Sequence, residues 1–242
     1  MIENIRIIYQ KELKSYYNTA IGYIFSAFFL LLISFLFFFG LGENSFWDLK
    51  VASMDQYFIW APVLFIIFIP AITMRLWSEE ERSGTMEILM TLPFNDYEIV
   101  LGKFLSAWTF LKITLMGTLL APVTIYILGD LDWGTVFAGY LGTLLMGGAY
   151  ISIGMVVSSL SKDQISAFVI TLLASMLAFL GGYQPVLRFF DSHTASLLSF
   201  LSLSRHFESF RMGVVDPRDI LYFLSFAALM LYFNVLILRG KR

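Results

Sequence analysis

Six long apolar runs, five of them free of any charge, constrain this chain more than any motif does. They cover residues 20–41, 56–74, 104–129, 133–161, 164–187 and 220–238, and only the third is interrupted, by Lys112. A helix needs ~20 mostly apolar residues to cross the hydrocarbon core of a bilayer. The pattern therefore predicts an all-α polytopic membrane protein with six transmembrane helices. Composition agrees: of 242 residues, 58% are hydrophobic and 14% charged, whereas a soluble domain carries about 25% charged residues. Basic and acidic residues number 16 and 18, so no cationic surface awaits a nucleic acid. With no cysteine there is no disulfide, thiolate metal site or thiol nucleophile. The first run is too long for the apolar region of a signal peptide and lacks a small-residue cleavage site, so it is expected to remain as a span.

Basic residues near the spans set the orientation. Arg6, Lys11 and Lys14 precede the first span; Arg75, Arg82 and Lys103 lie between the second and third. Lys162 follows the fourth, and Arg239, Lys241 and Arg242 follow the sixth. The first-to-second loop offers only Lys50, and the third-to-fourth turn has Asp130 and Asp132 without a base. Both termini are predicted cytoplasmic. The segment 188–219 dissents with Arg188, Arg205, Arg211 and Arg218, which Asp191, Glu208, Asp216 and Asp219 offset.

Three stretches are not simple spans. Residues 1–18 place Ile2, Ile5, Ile8 or Tyr9, Leu13 and Tyr16 at helical spacing, with Glu3, Arg6, Lys11 and Lys14 largely opposite. That predicts an amphipathic helix in the cytoplasmic interface, the alternative being a helical extension of the first span. Residues 78–93 combine a Ser78–Glu81 capping-box pattern, a helix-breaking Gly84 and a second short helix from Thr85 to Leu92 stopped by Pro93. Asn95 and Glu98 form a second capping pattern before the third span. Met86, Ile88, Leu89, Met90 and Leu92 are too many apolar groups for a solvated loop. They want the bilayer surface, a groove on another protein, or the chain's own membrane domain. Residues 188–219 contain eleven uncharged residues, Thr194 to Ser204, too short to span and too apolar for a plain loop. A re-entrant or interfacial helical segment fits, and backbone at that depth needs protein or a wet cavity around it.

Small residues recur one turn apart in the fourth run: Gly139, Thr143 and Gly147, Gly148 with Ser152, Gly154 with Ser158. They predict close helix packing within the chain. Lys112 is expected to snorkel back towards the headgroups. His193 and His206 lack a third metal ligand, and neither a serine-nucleophile motif nor a phosphate-binding loop is present. No acid lies deep in a span, which argues against an ion-coupled carrier. An intramembrane enzyme pairing either histidine with Ser192 or Ser204 is the weakest alternative.

Several segments resemble the ABC-2 type transporter permeases. These are Lys11-Glu-Leu-Lys-Ser-Tyr-Tyr-Asn-Thr-Ala-Ile-Gly-Tyr23, Pro70-Ala-Ile-Thr-Met-Arg75, Glu79-Glu-Glu-Arg-Ser-Gly-Thr-Met-Glu-Ile-Leu-Met-Thr-Leu-Pro93, Ile99-Val-Leu-Gly-Lys-Phe104 and Ser158-Ser-Leu-Ser-Lys-Asp-Gln164. Within that family the chain is most similar to gliding-motility-type subunits. The resemblance implies one transmembrane domain over 1–242 in a bacterial inner membrane. That domain would pair with a second permease subunit, identical or not, and with two separate ATPase subunits that bind ATP and Mg. It implies a non-catalytic exporter subunit that itself binds no cofactor, and an accessory subunit with an external domain. It also turns the short cytoplasmic helix into a coupling helix. Glu81, Arg82, Gly84, Thr85 and Glu87 would form its polar joint with the ATPase, and Met86, Leu89 and Met90 its apolar plug. Pro62 and Pro70 would let the second span bend, and the cargo path would lie between two permease subunits. The competing expectation is an autonomous secondary carrier or channel, in which 75–103 is only a surface element.

Overall fold

The computed structural model describes residues 2–40 and 45–241; the expected end of the first span at Leu41, and Arg242, lie outside them. Among the described residues every regular element is a helix, and five helices are long and apolar enough to cross a membrane. Helix α1 (Ile2–Asn18) leads through Thr19 into α2 (Ala20–Phe39). After a short α3 (Phe46–Leu49), α4 (Asp55–Thr73) runs almost without interruption into α5 (Arg75–Ser83). Helix α6 (Met86–Thr91) follows, then α7 (Asp96–Gly117) and α8 (Leu120–Leu128). Helix α9 (Trp133–Leu160) is the longest, and α10 (Gln164–Leu180) is shorter. Beyond it lie α11 (Gln184–Leu187), α12 (Ser192–Leu201), α13 (Leu203–Arg211) and α14 (Pro217–Lys241).

Helix α9 is the hub of the bundle and packs against α4, α5, α7, α10, α13 and α14. Its glycines do this work, because a Cβ on Gly139 would overlap Phe58, one on Gly147 would overlap Leu111, and one on Gly154 would overlap Thr73. Close approach of helix backbones replaces the hydrophobic drive that lipid cannot supply. The expected small-residue packing is thus found within the chain.

Several boundaries differ from expectation, each for a physical reason. The third run begins at Asp96 rather than Phe104, because Asn95 and Glu98 cap the helix as their spacing predicts, the Asn95 N–H donating to Glu98 Oε2 at 2.9 Å. It is then broken at Thr118. Pro122 has no N–H to offer the Thr118 carbonyl, which instead accepts from Ala121 at 3.0 Å. The Tyr57 and Tyr140 hydroxyls stitch the break, each 2.9 Å from Thr118 Oγ1. The fifth run, expected over 164–187, holds a regular helix of only 17 residues before the chain turns at Gly181. At ~1.5 Å per residue that helix is about 25 Å long. The sixth starts three residues early on Pro217, a residue suited to the first turn of a helix.

Helix α1 lies lengthwise on the first half of α7, pointing the same way. Asn4 Nδ2 donates to Glu98 Oε2 at 3.1 Å, a Cβ on Gly102 would press into Ile8, and Tyr16 stacks on Phe110 at 4.7 Å. Residues 4, 8, 12 and 16 thus form the docking stripe. The expected apolar stripe is only partly covered, with Ile8 and Tyr16 buried but Ile2 78% exposed. Polar partners on α7 decide the rotation of the helix.

Candidate functional site

The elbow formed by α5 and α6 carries most of the residues singled out in the sequence. Gly84 ends α5 with φ +69°, a left-handed conformation that glycine adopts without a Cβ penalty, and its N–H donates to the Glu81 carbonyl at 3.3 Å. The chain then turns into α6, whose six residues present two faces. Met86 and Met90, one turn apart, are buried in the chain's own core, and Leu89 is half-buried against it. Ile88 and Leu92, one turn apart on the other face, are 63% and 40% exposed. Glu81, Arg82, Thr85 and Glu87 are also exposed. The expected apolar plug of Met86, Leu89 and Met90 therefore points inward, and the outward apolar pair is Ile88 and Leu92. The i, i+4 geometry of a helix separates the two sets, although the composition of the segment does not.

Three anchors hold the elbow to the bundle. Ser158 Oγ near the end of α9 accepts from the Trp77 and Ser78 N–H groups at 3.1 and 3.3 Å and donates to the Met74 carbonyl at 3.1 Å. Ser78 is therefore no helix cap. It is buried inside α5 and bonds back to the Met74 carbonyl, because the helix never stops ahead of it. The second anchor is Lys103 on α7, whose side chain is 2% exposed. Its ammonium donates to Glu12 Oε1 at 3.1 Å, Glu80 Oε1 at 3.0 Å and the Leu76 carbonyl at 2.8 Å, and lies 4.8 Å from the Trp77 ring centroid. In the sequence Lys103 reads as one more loop charge. Its role shows only once α1 and α5 close over it. The third anchor is the end of α14, where Lys241 donates to Glu81 Oε2 at 2.8 Å and Arg239 lies 3.7 Å from Asp96. Glu81 is thus exposed yet already paired within the chain.

Pro62 and Pro70 both lie inside α4, buried, and the helix continues through each. Pro62 also lines a cavity of about 800 Å³ together with Phe58, Ile59 and Phe179 and with Arg205, Glu208 and Arg211 of α13. The α12–α13 pair occupies the stretch expected to be re-entrant or interfacial, but its two halves differ. Helix α13 packs on α4, α9, α10 and α14 with Phe207 and Phe210 buried, whereas α12 buries none of its residues. Arg211 is held by Glu208 and by Asp55 of α4, the latter at 2.8 Å. These pairs offset the charge of Arg211, one of the four basic residues of this segment.

The histidines do not form an enzyme-like pair. His193 is exposed. His206 has Nδ1 2.7 Å from Asp219 Oδ1 and Nε2 3.0 Å from the Phe200 carbonyl, with its ring stacked on Tyr222 at 3.7 Å. Asp219 also accepts from Ser209, so the carboxylate stands between base and hydroxyl, whereas nucleophile activation needs the base beside the hydroxyl. Ser204 donates to the Phe179 carbonyl at 2.8 Å, and Ser192 opens α12. Among the described residues no group of three or more potential ligands could hold a metal ion. Lys112 is exposed on α7 beside an apolar groove lined by Met116, Phe137 and Leu141.

A family model described as "ABC-2 family transporter protein" matches residues 50–238, which include the whole elbow and every helix from α4 to α13. The match is to the family at large, with no support for the narrower gliding-motility type. No curated protein matches the chain.

Proposed function

Because the chain belongs to the ABC-2 transporter family, we propose that it is the membrane-spanning permease subunit of an ATP-driven exporter. It works as one of two permease subunits around a shared cargo path, in a bacterial inner membrane with both termini in the cytoplasm. The five long helices and α10 make six spans, the short α10 being completed by the outer pair α12–α13, which dips into the outer leaflet. Helix α1 keeps its uncovered apolar residues, Ile2 and Ile7, against the inner headgroups. The chain hydrolyses nothing itself. Two partner subunits bind ATP and Mg, and their closure moves the elbow as a rigid body. A partner with a large external domain completes the assembly.

The observation that carries this reading is the family match across 50–238 together with the outward face of the elbow. Ile88 and Leu92 stand exposed beside Arg82, Thr85 and Glu87 on a segment anchored to α9, α7 and α14. An apolar pair ringed by charge suits a protein cleft, where a few buried anchors carry most of the binding energy. Met86, Leu89 and Met90 then support α6 from behind, while Gly84 sets its angle. Pro62 and Pro70 leave α4 two backbone hydrogen bonds short, which lets that span bend as the elbow moves.

Purifying the tagged subunit from its native membrane tests the proposal. A phosphate-loop ATPase should co-purify, and Ile88→Asp should release it while the subunit stays folded. In liposomes, Gly84→Val or Glu87→Ala should uncouple ATP hydrolysis from transport. Transport by the purified chain alone under an ion gradient would overturn the reading in favour of a secondary carrier or channel.

A further inference from the structure

We propose that Lys103 is the positioning residue that fastens α1 to the elbow, so that elbow displacement is delivered through α1 into the first span. This rests on the reading that the elbow takes force from an ATPase. An ammonium has three N–H donors and no acceptor. Here each donor meets an oxygen, one on α1 and two on α5, from a helix belonging to neither. Removing the ammonium would leave two carboxylates buried without their shared partner, so Lys103 holds α1 and α5 at one point on α7. Lys11, 3.6 Å from Glu12 and 3.8 Å from Glu80, offsets the second carboxylate from the exposed side.

The geometry makes α1 an arm rather than a passenger. The chain passes from α1 to α2 through Thr19 alone, and a Cβ on Gly22 would overlap the Tyr16 carbonyl, so the start of α2 is seated directly on the end of α1. Tyr16 also donates to the Ile72 carbonyl at 3.4 Å, where α4 approaches the elbow. Covalent continuity carries elbow movement into α4 at Met74 and into α7 through 92–95. Lys103 adds a path into α2. A merely structural lysine would hold the fold without correlating these motions.

The absence of cysteine allows label pairs to be introduced without background. In full-length subunit in nanodiscs, spin labels at the exposed Ile7 and Ser83 report across Lys103, and labels at the exposed Phe137 and Leu224 report the bundle. Lys103→Met should widen the Ile7–Ser83 distance distribution about twofold and leave the Phe137–Leu224 pair unchanged, as expected for local rather than global loosening. Glu12→Gln cuts only the α1 arm and should act in the same direction, which keeps the test open if Lys103→Met fails to fold. In complex with the ATPase, nucleotide should shift the Ile7–Phe137 distance in the wild type but not in Glu12→Gln, with ATPase binding retained. Unchanged widths in both variants, or equal widening of both pairs, would overturn the proposal. A wild-type complex in which Ile7–Ser83 is narrow but nothing responds to nucleotide would overturn the coupling reading and the delivery of force, not the fastening.

Discussion

The two ends of the bundle hold their charges differently. At the elbow end, ion pairs join helices separated in sequence: Lys103 with Glu12 and Glu80, Lys241 with Glu81, Arg239 with Asp96. At the opposite end most polar bonds are local caps and turns, such as Asp132 with Gly134 and Thr135, Asp191 with His193 and Thr194, and Glu208 with Arg211. Ion pairs from α12–α13 to other spans are two, Arg211–Asp55 and His206–Asp219, among the described residues, and the remaining ties are single hydroxyl bonds such as Ser204 to the Phe179 carbonyl and Tyr222 to the Leu201 carbonyl. A cross-linked end moves as one body. An end whose short helices differ, α13 packed on four others and α12 burying nothing, can shift piece by piece. The difference suits the proposed function, in which the elbow end receives force and the opposite end opens.

Four substitutions would break or sharpen this contrast. The largest effect is expected from Gly154→Val, because its side chain would collide with Thr73 where α4 and α9 meet above the elbow. Overpacking of this kind costs ~3 kcal/mol, read as a fall in thermal stability of the purified subunit. Next comes Ser158→Ala, which takes the hydroxyl acceptor from the buried Trp77 and Ser78 N–H groups and leaves the Met74 carbonyl with Ser78 as its side-chain donor. A loss of ~2 kcal/mol is expected, with hydrogen exchange rising across 74–92 and not at the opposite end. His206→Phe keeps the stack on Tyr222 but loses both ring-nitrogen contacts. It should cost ~1 kcal/mol and raise exchange in 192–211 alone; an equal rise at the elbow would sink the idea that the two ends are separable.

The smallest effect is expected from Asp191→Ala. Hydrogen bonds from the Thr194 side chain and then its backbone hold the Asp191 carboxyl below its ordinary range. A folded value below the unfolded one gives stability that is present above the unfolded value and lost as pH falls through the folded one. The wild-type α12 cap should therefore persist at neutral pH and disappear only in acid, while the variant lacks it throughout. Amide exchange of Thr194 against pH checks this.

Much of the elbow was legible in the sequence, because its signals are local. Gly84 ends a helix through its own backbone, Pro93 follows the end of the next helix, and Asn95 with Glu98 caps α7. The Ser78–Glu81 pattern misled for the complementary reason. A cap requires a helix start, and only the continuity of α4 with α5 shows that none exists there. The same holds for the third span, where Pro122 was visible but its effect on the Thr118 carbonyl depends on the helix already being formed.

By itself the sequence determined the solvent and the architecture: long uncharged runs can satisfy their backbone in lipid only as helices. It also set the glycine stripe of α9 and the place of the elbow between two spans. The tertiary structure alone decided which face of each short helix looks outward. It turned Met86 and Met90 into the core, left Ile88 and Leu92 exposed, and made a loop lysine the buried meeting point of three helices. The physical reason is reach. Propensity and hydropathy act over one or two turns, whereas burial of a charge depends on partners about ninety residues away, as |i−j| of 91 for Lys103 and Glu12 shows.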